Sequence, residues 1–147
     1  MSVILKDITQ DNFLECISLS LSEDQKGYVS ENVKSIAESK LWPFWIPKAI
    51  YENEDMVGFL MYAKDYEDGK LDICRLMIDR NFQKKGYGTK SIEDMIIIAK
   101  SDAGINRIVV HIVKENDNAK KFYIKNGFID LHTVEYGQDV FILNITR

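Results

Sequence analysis

The sequence predicts an α/β (α+β) fold: a central mixed, mostly antiparallel twisted sheet of about seven strands with four helices on its faces. Three observations lead there. Helical periodicities occupy the first third of the chain, and short alternating runs divided by turn sequences fill the middle. A strand-helix-strand unit then precedes a closing hairpin, which mixes parallel and antiparallel pairing.

Residues 3–8 alternate loosely and read as an edge strand. Phe13, Leu14, Ile17 and Leu21 recur at helical spacing behind Asp11, a candidate N-cap. Val29, Val33, Ile36, Ala37 and Leu41 repeat the pattern, which stops before Pro43 because proline disfavours helix in the residue ahead of it. The runs 48–52, 56–63 and 71–78 are strand-like, and Asn53-Glu54-Asp55 and Glu67-Asp68-Gly69 suit the turns of an antiparallel meander. Residues 88–101 follow as a helix with the stripe Ile92, Met95, Ile96 and Ala99, widened by Ile97 and Ile98 as if covered on more than one side. Then come a strand at 107–113 and a helix at 118–126, with Gly127 where a left-handed C-terminal cap is wanted. Residues 128–135 and 140–145 pair across Tyr136-Gly137-Gln138.

A chain of 147 residues with 46% apolar and 29% charged residues is sized and balanced for one globular domain, 1–147. Its formal charge of −4 argues against nucleic acid and is compatible with a cationic substrate. The N-terminal residues lack the pattern of a targeting segment, and the longest apolar block, Met95 to Ala99, is far short of the roughly 20 residues that span a bilayer. No membrane association is expected. Cys16 and Cys74, in elements that read as buried, fit a cytoplasmic, reducing setting. His111 and His132 have no partner at a ligand-like spacing, so no metal site is expected.

The stretch Gln83-Lys84-Lys85-Gly86-Tyr87-Gly88-Thr89 lies between a strand and a helix. The first turn of a helix offers unpaired N–H groups to an anion, and glycine lets backbone approach it closely. Lys84, Lys85 and Lys90 add positive charge. A Walker loop is excluded because Thr89, not lysine, follows Gly88; a dinucleotide fingerprint is excluded because Ser91 stands where its third glycine belongs. Taken by itself, the loop also reads as a tight turn that binds nothing.

Gln83-x-x-Gly86-x-Gly88, after Met77-Ile78-Asp79, resembles the acetyl-CoA pyrophosphate loop of GNAT N-acetyltransferases, whose pattern is Gln/Arg-x-x-Gly-x-Gly/Ala. The family's second hallmark stands downstream as Asn116-x-x-Ala119-x-x-Phe122-Tyr123-x-x-x-Gly127-Phe128, in the family's order and separation. Asp24-Gln25-x-x-Tyr28-Val29, Leu41-Trp42-Pro43 and Arg75-Leu76-Met77-Ile78-Asp79 are similar to the family's bacterial members assigned to spermine, spermidine or other diamines.

The resemblance implies the GNAT fold, acetyl-CoA as co-substrate and direct transfer to a primary amine of a small molecule, a polyamine, in a ternary complex. It implies coenzyme contacts from Leu76, Met77 and Ile78, from Gln83, Lys84, Lys85, Gly86, Tyr87, Gly88 and Thr89, and from Asn116, Ala119 and Tyr123. Tyr123 takes the place of the family's general acid, although its spacing with Ala119 and Phe122 equally describes a buried helical stripe. Asn116 takes the place of an amide that holds the pantetheine arm, and also suits a helix cap. Where one branch of relatives has a carboxylate on the fourth strand, this chain has Cys74. Asp72, on the same strand face, is the candidate base through a water, beside Glu23, Asp24 and Glu31 from the helical region. Trp42, Phe44 and Trp45 read first as core; alternatively Trp45, with Glu23, Asp24, Glu31 and Glu135, serves a cationic acceptor. Relatives often pair as dimers, so a homodimer is one open state, and the sequence does not decide it. Two other readings stay open, a peptide or protein amine as acceptor, and a non-catalytic acyl-CoA-binding sensor or interaction module.

Overall fold

The computed structural model describes residues 2–147. The elements run β1 (Ile4–Asp7), α1 (Phe13–Ser18), a 3-10 turn (Glu23–Gln25), α2 (Asn32–Leu41), β2 (Trp45–Glu52), β3 (Asp55–Asp65) and β4 (Lys70–Ile78). A second 3-10 turn (Arg80–Phe82), α3 (Tyr87–Lys100), β5 (Arg107–Ile112), α4 (Asp117–Lys125), β6 (Ile129–Glu135) and β7 (Gln138–Asn144) complete the chain. The strands form a seven-stranded mixed sheet in the order β1-β2-β3-β4-β5-β7-β6. β4 and β5 are parallel, from Lys70–Arg107 to Ile73–Val110, as a strand-helix-strand crossover requires. β1–β2, β5–β7 and β6–β7 are antiparallel. The element order and mixed sheet agree with the sequence expectation. No helix among the described residues is long and apolar enough to cross a membrane.

The chain groups into two compact units whose boundaries fall inside β3, β4 and α3. The first holds the chain up to Tyr62 together with Arg75–Ser91. Ala49, Ile50, Val57, Phe59, Leu60 and Met61 are fully buried in it. Glycine at 58 has a steric reason: a Cβ there would collide with the backbone oxygen of Met77 and press on the Ile78 and Ile50 side chains. Asn12, not Asp11, precedes α1, and its amide closes the entry by accepting from the Thr9 N–H at 2.8 Å and donating to the Asp7 carbonyl at 3.0 Å. The two helices are shorter than their apolar periodicities. α1 stops at Ser18, leaving Leu21 outside, and α2 starts at Asn32, leaving Val29 outside. Gly27, at φ +92°, breaks the helical path between them. Trp42 stacks on Trp45 at 5.3 Å between centroids, yet Trp42 and Phe44 are exposed, so this cluster is a surface feature rather than the expected core.

The second unit comprises Ala63–Cys74 and Ile92–Arg147. Ile92, Met95 and Ala99 are buried from α3, whereas Ile97 is exposed, so the helix has one solvent face and is not enclosed as the widened stripe suggested. α4 ends as expected: Gly127 adopts φ +94°, and the Gly127 and Phe128 N–H groups bond back to the Ile124 and Tyr123 carbonyls at 3.0 Å each. In β6 the pairing with β7 shifts register between Asp130 and Val134, and His132 takes φ +56°.

Candidate functional site

The glycine loop begins where β4 ends. Asp79 is buried, with one carboxylate oxygen accepting from the Ser20 N–H at 2.8 Å and the other from the Asn81 N–H at 3.1 Å, which caps the 3-10 turn. The Gln83 amide donates to the Ile78 carbonyl at 3.0 Å and to the Gln25 amide oxygen at 2.6 Å. Lys84 at φ +62° and Gly86 at φ +90° then reverse the chain into α3. The Lys90 N–H bonds to the Gly86 carbonyl at 3.1 Å, so the helical ladder begins there. The N–H groups of Tyr87, Gly88 and Thr89 are left facing outward from the helix end, as the first turn of any helix leaves them. Lys84 and Lys85 are exposed beside them. Tyr87 is buried: its ring meets Phe82 edge-on at 6.3 Å, and burial, with the influence of the Glu52 carboxylate, pushes its phenol up. Donors and positive charge thus converge on one helix terminus, the arrangement an anionic phosphate requires.

Beside the β4 end lies a cavity of about 380 Å³. Ile17, Leu19, Leu21, Val29, Val33 and Met77 give its apolar wall, while Ser18, Ser20, Ser30, Asn32, Lys26 and Glu31 contribute polar groups. Asn32, buried at the first turn of α2, donates to the Cys16 carbonyl at 2.9 Å. Glu31 occupies the N-cap position of α2 without a side-chain cap bond. Glu31 and Met77 are therefore brought together in one wall. Glu23 and Asp24 sit on the exposed 3-10 turn and are engaged locally, Glu23 in a 2.7 Å ion pair with Lys26 and Asp24 in a 2.6 Å hydrogen bond from Ser22. Trp45 is half-buried and occupied by its stack on Trp42. Leu76 and Ile78 are half-buried and Met77 is buried.

In the second unit, Asn116 is the N-cap of α4 and accepts from the Ala119 N–H at 3.2 Å. Tyr123, four residues into the same face, is 7% exposed and is held edge-on by Phe122 and Phe128, each at 5.1 Å. Burial drives its phenol pKa upward, so the hydroxyl keeps its proton throughout the neutral range. Asp72 is half-buried, with Oδ1 enclosed and without a hydrogen-bond partner among the described residues; Lys70 approaches that oxygen at 3.5 Å. Desolvation raises its carboxyl pKa, against the opposing pull of Lys70 and His111. Glu135 pairs with His111 at 3.0 Å, a partner that the sequence did not indicate. Cys74 is half-buried, with its thiol 3.9 Å from the Asp72 carbonyl. Among the described residues no group of three or more His, Cys, Asp or Glu side chains is placed to hold a metal ion.

Sequence reasoning gave no individual role to Asp79, Gln25 or Asn32, although the first two stand in the stretches that carry the resemblance. Asp79 carried a local signal, an Asx residue opening the Arg80–Phe82 turn, but its bond to Ser20 spans the chain and leaves no local trace.

Comparison with known proteins agrees with this geometry. Residues 5–128 match the model of the acetyltransferase (GNAT) family. The spermine/spermidine N(1)-acetyltransferase of Bacillus subtilis (strain 168) is 28% identical over 134 residues, covering 87% of this chain and 88% of the relative. The spermidine N-acetyltransferase from Vibrio cholerae, solved in complex with CoA and spermine, superposes with a TM-score of 0.76 at 15% identity, over 98% of this chain and 96% of the other. The paia N-acetyltransferase from Thermoplasma acidophilum, in complex with coenzyme A, gives 0.71 at 17% identity, over 98% and 99%. Both hallmark motifs, the loop from Gln83 and the helix from Asn116, fall inside the matched stretch, and the chain belongs to the GNAT family of acetyltransferases.

Proposed function

We propose that the enzyme transfers an acetyl group from acetyl-CoA directly to a primary amine of a small molecule, a polyamine, within a ternary complex. The observation that carries this reading is the head of α3. Outward amides of Tyr87, Gly88 and Thr89 stand beside exposed Lys84 and Lys85, a donor set chemically suited to a pyrophosphate. By resemblance, Leu76, Met77 and Ile78 engage the pantetheine arm through their backbone, and Asn116 and Ala119 engage it from α4. Acetyl-CoA supplies an acetyl thioester whose carbonyl carbon is the electrophile.

The cavity beside Glu31 supports an amine acceptor. Its volume lies in the range of about 300–1,000 Å³ that small ligands occupy. Its apolar wall suits methylene segments, and Glu31 offers a carboxylate to an ammonium group. The B. subtilis relative's name supports the polyamine assignment. A free alkylammonium has a pKa of about 10, so a proton must leave the nitrogen before attack. Asp72, whose raised affinity for a proton comes from burial, takes that proton through a water. The N–C bond then forms as the C–S bond breaks, Tyr123 gives its proton to the departing thiolate, and the second proton leaving the acylated nitrogen passes through solvent to restore the Tyr123 phenol. Glu23, Asp24, Trp45 and Glu135 are already engaged with neighbours and contribute charge or shape at most. The family match runs through both compact units, which supports reading 1–147 as a single catalytic domain. Cys16 and Cys74, neither of them in a disulfide, fit a reducing cytoplasm.

The test is a thiol-release assay with acetyl-CoA against spermine, spermidine, small diamines and lysine peptides. Saturable turnover with polyamines is expected. A preference for the peptides overturns the substrate class. The absence of a carboxylate at Cys74 favours the non-catalytic sensor as second reading: it requires tight acetyl-CoA binding without thiol release from any acceptor.

A further inference from the structure

The wall of the cavity is fastened to the root of the glycine loop. Ser20, which lines the cavity, exchanges both backbone groups with the loop root: its N–H donates to Asp79 Oδ1 at 2.8 Å, and its carbonyl accepts from the Arg80 N–H at 2.8 Å. Three residues after Ser20, at Glu23, the chain enters the 3-10 turn that carries Gln25. Gln83, the first residue of the coenzyme motif, reaches back to that turn. One amide nitrogen serves two acceptors, the Ile78 carbonyl at 3.0 Å and Gln25 Oε1 at 2.6 Å. A backbone carbonyl only accepts, so the Gln83 atom is the NH2 and its partner on Gln25 is the oxygen. Asp79 continues the linkage on the loop side through the Asn81 N–H at 3.1 Å.

We propose that Gln83 is a positioning residue for the amine: through Gln25 it makes the cavity wall and the phosphate loop a single ordered body, so that coenzyme binding raises amine affinity. This rests on the reading that acetyl-CoA takes the glycine loop and the amine takes the cavity. The reason is entropic. A ligand that orders the loop also orders the 3-10 turn tied to it, and a second ligand entering the cavity no longer bears that ordering cost. Linkage requires the reverse effect to be equal, so the amine tightens CoA by the same factor. Gln25 has no place in the coenzyme motif, which allows the link to be cut without removing a coenzyme contact.

The experiment first establishes turnover of spermidine by thiol release with the wild-type chain. CoA is then titrated calorimetrically with and without saturating spermidine, for wild type, Gln25→Leu and Gln25→Glu. Wild type should show CoA binding tightened about fivefold or more by spermidine. Gln25→Leu should bring that ratio to within about twofold of unity while leaving CoA affinity without spermidine nearly unchanged. Gln25→Glu keeps an acceptor oxygen for Gln83 and should retain the ratio, which a general packing role would not predict. Thermal melts verify folding, and Gln25→Ala takes the place of Gln25→Leu if the latter unfolds. A ratio near unity in wild type, or an unchanged ratio in Gln25→Leu, overturns the coupling while the functional reading stands. Absence of turnover with spermidine and every other amine overturns the functional reading itself, and the coupling with it.

Discussion

Replacing Gly58 by alanine tests how tightly β3 and β4 are built against each other near the end of β4. The new Cβ would strike the Met77 carbonyl oxygen and would lie 2.9 Å from Ile78 Cδ1 and 3.3 Å from Ile50 Cδ1. The two isoleucine methyls can swing aside, but the Met77 oxygen belongs to the backbone and moves only with its strand. Overpacking of this kind costs about 1–3 kcal/mol. Reduced freedom of the unfolded chain returns about 0.4–1 kcal/mol for Gly→Ala. The net loss is about 1–2 kcal/mol, and at about 2–4 °C per kcal/mol for a chain of this size Tm should fall by roughly 2–8 °C. Because the strand that moves carries the Met77 backbone proposed above to engage the pantetheine arm, kcat should fall about tenfold or more; misplacement by about 1 Å is enough for such a loss. Thermal denaturation by circular dichroism and steady-state thiol release read the two effects. Gly137→Ala is the comparison, since nothing lies within 4 Å of its Cβ and only its φ of +74° resists substitution. That variant should lose stability alone. A Gly58→Ala protein with wild-type Tm and wild-type kcat would refute the steric argument.

Further outcomes follow from the same geometry. Tyr123→Phe should lower kcat by about 10²–10⁴, the usual contribution of a positioned acid, with little change in Tm because the ring contacts to Phe122 and Phe128 survive; equal kcat would return Tyr123 to a core role. Glu31→Gln should raise the amine KM about three- to tenfold and leave CoA affinity unchanged, and the opposite pattern in steady-state kinetics would remove Glu31 from the acceptor wall. Asp102 accepts hydrogen bonds from Lys64 at 2.8 Å and Tyr66 at 2.7 Å, which lower its pKa from 3.8 to about 2. Its folded-state pKa is depressed, so its stabilisation is present above the unfolded value and is lost as pH falls from about 4 through about 2. Urea midpoints of wild type and Asp102→Asn should therefore differ at pH 7 and converge at the acid end. Burial raises the Cys16 thiol to about 11, so in the folded protein iodoacetamide at neutral pH should label Cys16 far more slowly than it does after denaturation.

The parts of this chain that sequence reveals are those governed by neighbours along it. The glycine loop, the Asn116 cap and the Gly127 terminus are short motifs whose backbone demands are local, and all three appear in the structure at their expected places. Periodicity misled at Leu21 and Val29 because it counts apolar spacing and ignores the left-handed Gly27 and the 3-10 turn between them. Trp42 and Phe44 read as core from composition alone, but the chain turns there into β2 and leaves them in solvent. The Gln25–Gln83, Asp79–Ser20 and Glu135–His111 bonds join residues far apart in sequence, so no window on the chain could reveal those bonds. The glycine loop and the helix carrying Asn116 and Tyr123 were thus legible as local structure, and the wall of the cavity far less so.

The irregular stretch of β6 bears on how this protein behaves in a crowded solution. β6 ends the sheet, and Ile129, Leu131 and Val134 along it are exposed. A straight edge of this composition would template another strand and seed aggregation. The register shift between Asp130 and Val134 spoils that template, with His132 turned to φ +56° and its N–H captured by Asp130 Oδ1 at 2.8 Å. His132 therefore acts as a guard on the sheet's open side: a substitution that lets β6 run straight, such as His132→Val, should trade local backbone strain for stickiness, visible as light scattering that grows with protein concentration.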